Sequence, residues 1–118
     1  IQARLVERLA PLCGHTIVEA AIVTSVGLLV PDVAWASPQF MASHPGESPL
    51  TRAPELCIEV VSPSNSRKEL SEKVAACLAA GAQEVWIVYP QSKRFEYFSR
   101  NGPLDRTAFA VDLDNLFD

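Results

Sequence analysis

The stretch APELCIEVVSPSNSRKELSEK, Ala53–Lys73, fixes the centre of the fold. Leu56, Cys57, Ile58, Val60 and Val61 form a short, nearly continuous apolar run of the kind found in a strand covered on both faces, so Glu55–Ser62 is read as a central strand. Glu59 interrupts that run, and a carboxylate in such a place is costly unless it is paired or holds a cation. Ser66 followed three residues later by Glu69 is a capping-box signature, and Gly81 is a stop, which bounds a helix over Ser66–Ala80.

Outward from this centre, the chain alternates in type. Ile1, Leu5, Val6, Leu9 and Leu12 have helical spacing, with Gly14 as the stop. Thr16–Thr24 reads as a first strand and Leu28–Ser37 as a second, joined as a hairpin around Ser25–Gly27, with Pro31 marking an edge, bulge or irregularity. The proline-rich stretch Pro38–Pro54 reads as a loop. After the second helix, Glu84–Tyr89 (EVWIVY) and Arg94–Ser99 (RFEYFS) are the fourth and fifth strands, and the tail offers a short strand in FAVDL, Phe109–Leu113. The core order is α-β-β-β-α-β, an α/β (α+β) domain with a mixed sheet flanked by helices, in which the crossover helix sets the fourth strand parallel to the third.

The chain has 118 residues, which suits a single domain over 1–118. Its first residue is Ile rather than Met, and an N-terminal segment is expected to be missing. No apolar stretch is long enough to span a bilayer. Three widely spaced cysteines, Cys13, Cys57 and Cys77, argue against a disulfide framework or a zinc site and for a reduced, cytoplasmic setting. The net charge of −4 opposes a generally basic nucleic-acid binder, but Arg52, Arg67, Lys68 and Lys73 gather near the central strand and helix, and Lys93, Arg94 and Arg100 around the late hairpin.

Alternation puts Asp32, Ala34 and Ala36 on one face of the second strand, and Cys57, Glu59 and Val61 on one face of the third. If these strands are neighbours, both carboxylates project to the same side. Lys73 lies about 60° around the helix from Leu70, on the flank of its apolar stripe, within reach of the sheet. Two carboxylates and a lysine are what phosphodiester hydrolysis with a hard cation, Mg²⁺ or Mn²⁺, requires. Each alone has a plainer reading: Asp32 as a turn residue, Glu59 as a solvent-facing acid or a partner of Arg52 or Arg67, Lys73 as a solvated helix lysine. His15 and His44 lack metal-ligand spacing, Asp112, Asp114 and Asp118 form a solvated acidic tail, Ser62-Pro63-Ser64 shapes a turn, and Trp35 and Trp86 are core or interface aromatics.

VPDVAWAS (Val30–Ser37), then PELCIEVVSPSNSRKELSEKVAACLAAGAQEVWIVYP (Pro54–Pro90), and VDLDNLF near the end resemble the Uma-type endonuclease family of the restriction-endonuclease-like, PD-(D/E)xK superfamily. The resemblance implies a metal-dependent nuclease acting on DNA. Asp32 matches the PD aspartate and Glu59 the acidic residue of the second motif. The motif's usual lysine position holds Val61, and Lys73 matches a lysine displaced into the helix. By the same analogy, the Val60 carbonyl is a further metal ligand. The alternative is an inactive module of the same fold acting in partner binding or self-association, with exposed core surface favouring a homodimer.

Overall fold

The structure, a computed structural model, describes residues Ile1–Asp118. Helix α1 (Gln2–Leu9) buries Leu5 and Leu9. It stops short of the expected Leu12 because Pro11 has no N–H to continue the ladder and its ring crowds the preceding turn. The chain then enters β1 (His15–Val18), β2 (Ile22–Thr24), β3 (Gly27–Leu29) and β4 (Val33–Ala36), followed by α2 (Pro38–Ser43) and β5 (Leu56–Val60). Helix α3 (Arg67–Ala79) leads to β6 (Glu84–Tyr89), β7 (Arg94–Ser99) and β8 (Gly102–Leu104).

The six-stranded sheet has the order β1-β4-β5-β6-β7-β8, and only the β5–β6 pair is parallel. That pair is the one joined through α3, as the crossover helix requires. The capping box is formed: Ser66 Oγ accepts from Glu69 N at 3.1 Å, and the Glu69 carboxylate accepts from Ser66 N at 3.4 Å. Cys57, Val85, Ile87, Leu70, Val74 and Cys77 belong to the core on the α3 face. Leu5, Leu9, Leu56, Ile58, Trp86 and Leu116 belong to the core on the other. No helix is long and apolar enough to cross a membrane.

Four expectations need correction. The two strands expected over Thr16–Thr24 and Leu28–Ser37 are each divided. His15 pairs with Ala36 and Ile22 with Leu29 in one unbroken register, so the hairpin is real, but its middle leaves the ladder. Pro31 has no amide hydrogen to give there, and Glu19 turns to a positive φ of 56°. The end of the hairpin instead pairs with the connection before β5, with Val23 N donating to Leu50 O at 2.8 Å and Leu50 N to Ala21 O at 2.9 Å.

The expected loop over Pro38–Pro54 contains α2, because Ser37 Oγ caps Phe40 N at 3.0 Å and Pro38 suits the first turn. An eighth strand follows Arg100-Asn101, with Gly102 at φ 112° closing the turn. The tail FAVDL is no strand. Carbonyls in it and just beyond it are held by arginines of α1 instead: Arg8 donates to Asp112 O at 2.9 Å and Asp114 O at 2.7 Å, and Arg4 donates to Leu116 O at 2.9 Å and to Asp118 O.

Gly14 does more than end a helix. A Cβ there would fall 2.4 Å from Ala36 O and 2.6 Å from the Trp35 ring. Gly14→Ala should therefore cost about 1–3 kcal/mol through overpacking, measured as a lower urea midpoint with an unchanged m-value. An unshifted midpoint would mean that this approach is looser than described.

Candidate active site

The β4–β5 register pairs Val33 with Ile58 and Ala34 with Cys57, and its next step brings Asp32 beside Glu59. Both belong to the face that α3 covers. Asp32 is tied at several points. Its Oδ2 accepts from Val60 N at 2.7 Å, and its own carbonyl accepts from Gln2 Nε2 at 2.9 Å and Glu19 N at 3.2 Å. The side chain thus replaces the strand partner that the interrupted hairpin denies to Val60. Gln2 could not be found by sequence reasoning, because its contact joins α1 to a strand thirty positions away.

Glu59 is 8% exposed, and Lys73 Nζ donates to its Oε2 at 3.0 Å. The lysine side chain remains 27% exposed, so it approaches over the helix flank from the solvent side. Arg52 and Arg67 are not partners of Glu59: Arg52 lies against Gly81 and Arg67 lines a groove farther along α3. A cavity of about 10 Å³ beside the pair is lined by Pro31, Cys57, Glu59, Lys73 and Cys77 among others, room for about one water. The two thiols are free and buried next to the site.

Burial pushes the Glu59 carboxyl above its ordinary range. The Lys73 hydrogen bond opposes this, while the Asp32 charge adds to it. With a folded value above the unfolded one, Glu59 contributes stability below the unfolded value and loses that contribution as pH rises through the folded one. Wild type should therefore lose stability relative to Glu59→Gln as pH rises from the ordinary glutamate range to neutral in chelator, read from urea midpoints. A pH-independent difference would refute the shift.

Asp32 Oδ1 and Glu59 Oε1 lie outside those two bonds, and no group of three His, Cys, Asp or Glu side chains gathers anywhere in the chain, so the site offers a cation two carboxylates and no third such ligand. Two facing carboxylates fit a hard cation that takes few protein oxygens and keeps water, and they do not fit zinc, which favours several nitrogen or sulfur ligands. The remaining candidates have structural positions. His44 stacks on Phe40 and meets Glu47 at 3.3 Å, and Asn65 Oδ1 accepts from Ser62 N at 2.9 Å in the turn before α3. Trp86 is fully buried. A second buried acid, Glu84, accepts from Trp86 Nε1 on the opposite face of the sheet and belongs to no site.

A family model, Uma2, described as "Putative restriction endonuclease", matches residues 1–115. A solved structure described as a "putative nuclease belonging to DUF820" from Anabaena variabilis is similar to this chain with a TM-score of 0.69 at 18% identity, covering 93% of this chain. At that identity the likeness concerns the fold, which is nuclease-like. The chain spans 65% of that neighbour's length. No curated protein matches.

Proposed function

Since the chain belongs to the Uma2 family of restriction-endonuclease-like proteins, we propose that it is a metal-dependent nuclease hydrolysing phosphodiester bonds in DNA. The observation that carries this reading is the convergence of Asp32, Glu59 and Lys73 on one face, with Lys73 Nζ 3.0 Å from Glu59 Oε2. Asp32 and Glu59 would hold Mg²⁺ or Mn²⁺, with the Val60 carbonyl as a further oxygen. Bound there, the cation would acidify a water and neutralise charge on the phosphate. The chain's own contributions are distinct. The Val60 amide fixes the Asp32 carboxylate, and burial of Glu59 makes its negative charge costly until a cation neutralises it. Lys73 has donors left over for a phosphate oxygen after binding Glu59.

The test is calorimetry with Mg²⁺ and Mn²⁺ alongside cleavage of plasmid DNA with and without chelator. Wild type should bind the cation and cut, while Glu59→Gln should do neither and still fold. Equal cutting by wild type and Glu59→Gln would assign the activity to a contaminant, and wild type that binds no divalent cation would end the nuclease reading.

One feature favours a second reading, the non-catalytic homodimer. Val26 and Leu28 at the hairpin tip are each 62% exposed, with Val23 and Val30 also exposed beside them. Apolar residues so grouped are suited to burial against a second copy. Light scattering should then give a dimer for wild type and a monomer for Val26→Ser/Leu28→Ser. A wild-type monomer at all concentrations would remove this reading.

A further inference from the structure

On the face that carries Glu59 and Lys73, a groove of about 530 Å³ opens between α3 and β7. It begins at Val61 and Asn65, just past Glu59 in the chain, and follows α3 for roughly three turns to Leu78. Ile87, Tyr89 and Phe98 form its sheet side. Arg67, Arg94 and Arg100 line it against a single carboxylate, Glu96. That acid is already engaged, by the Tyr89 hydroxyl at 2.5 Å and by Arg94 at 3.4 Å. Arg94 lies over the Tyr89 ring, its guanidinium carbon 3.9 Å from the ring centroid, while its side chain is still half exposed. Past Arg100 a second hollow beside Gly81 adds Arg52. The groove is therefore cationic along its length and apolar at its floor, within a chain of net charge −4.

We propose that this groove holds an unpaired nucleic-acid strand, its phosphates on Arg67, Arg94 and Arg100 and its bases against the half-buried Phe98 ring and the Arg94 guanidinium. A small anion would leave the apolar floor without a partner. A duplex keeps its base faces stacked inside and presents only phosphates to such a floor. An unpaired strand offers both a charged backbone and open base faces, which aromatic rings and guanidinium planes stack against without regard to sequence. The choice of nucleic acid as the anion rests on the nuclease reading, and it narrows the substrate to a single strand or a locally opened duplex.

The test separates binding from cutting by working in chelator. Fluorescence anisotropy with an end-labelled oligothymidylate should give binding about tenfold tighter than with its oligoadenylate duplex at the same salt. Arg94→Ala and Arg100→Ala should each weaken strand binding by about fivefold to tenfold. Ser71→Glu, on the exposed helix wall of the groove, should weaken it by at least about tenfold through like-charge repulsion. Unchanged melting curves by circular dichroism would show that these variants fold, and Arg100→Lys should recover part of the binding. Duplex binding as tight as the single strand, Ser71→Glu binding like wild type, or a polyglutamate peptide competing as well as the oligonucleotide would each overturn the proposal. Groove-dependent strand binding without cleavage in Mg²⁺ would support the groove while removing the nuclease reading. Cleavage that persists in Ser71→Glu without measurable strand binding would remove the groove and leave the nuclease reading in place.

Discussion

Lys73→Ala should slow DNA cleavage by about 10²–10³-fold, the loss expected when one charge-stabilising donor is taken from a reacting phosphate. Lys73 Nζ reaches Glu59 at 3.0 Å, and under the proposed function it would have two tasks, favouring the ionised form of that carboxylate and serving the substrate. The tasks separate with pH. Lys73 opposes the upward pull of burial on Glu59, so its removal should let the Glu59 carboxyl rise further in metal-free protein. A cation competes with that proton. Cation affinity of Lys73→Ala should therefore approach wild type at alkaline pH and fall away at a higher pH than wild type does, while the slowed cleavage persists at every pH. Single-turnover kinetics at saturating cation, with calorimetry across pH, read the two effects independently. If alkaline pH restores cleavage as well as affinity, Lys73 only maintains the charge of Glu59. If affinity is lost at all pH values, it positions a ligand, and the assignment to the substrate fails.

The parts of this site that are local in the chain are legible in its sequence. An acid inside an apolar run, a capping box seven residues beyond it and the 100° step of the helix suffice to set Glu59 and Lys73 toward one another. Alternation carried one residue back from β4 sets Asp32 on the side of Glu59, and the β4–β5 register extends the same way. Pro31 signals an irregular hairpin, but not that the hairpin leaves the sheet, since its end is drawn to Leu50 by hydrogen bonds across more than twenty-five residues. Helix α2 has six residues and β8 three, too few to establish a period. The tail has a strand-like alternation in FAVDL, yet no strand edge reaches it, and arginines of α1 take its carbonyls. Longer-range contacts of this kind decide the role of Glu84 as well. From sequence it is only the first residue of a strand, because two of its three partners, Thr107 and Ala108, are more than twenty residues away.

Glu84→Ala should destabilise the protein by about 3–5 kcal/mol, because each buried donor left without its acceptor costs about 1–3 kcal/mol and three lose theirs together. Glu84 is 3% exposed. Its Oε1 accepts from Trp86 Nε1 at 2.9 Å and Thr107 Oγ1 at 2.6 Å, and its Oε2 accepts from Ala108 N at 2.8 Å. Alanine would strand three donors at once. The indole N–H is fully buried with its ring, so water cannot replace the carboxylate there without opening the core. The same bonds bring the tail onto the sheet, where Phe109, Val111, Leu113, Leu116 and Phe117 cover the α1 face. Glu84→Gln should cost less, because its amide oxygen keeps one acceptor, but its NH₂ then faces a donor. Urea unfolding of Glu84→Ala, Thr107→Val and the double variant measures the coupling, expected at about 0.5–3 kcal/mol for residues sharing one network. Leu116→Ala, which removes tail packing without touching the carboxylate, separates detachment of the tail from loss of the indole bond. If Glu84→Ala costs less than about 1 kcal/mol, the carboxylate is not what joins the tail to the sheet. Glu59 would then differ from Glu84 only in facing α3 and Lys73, and burial of an acid in this sheet would carry no structural meaning of its own.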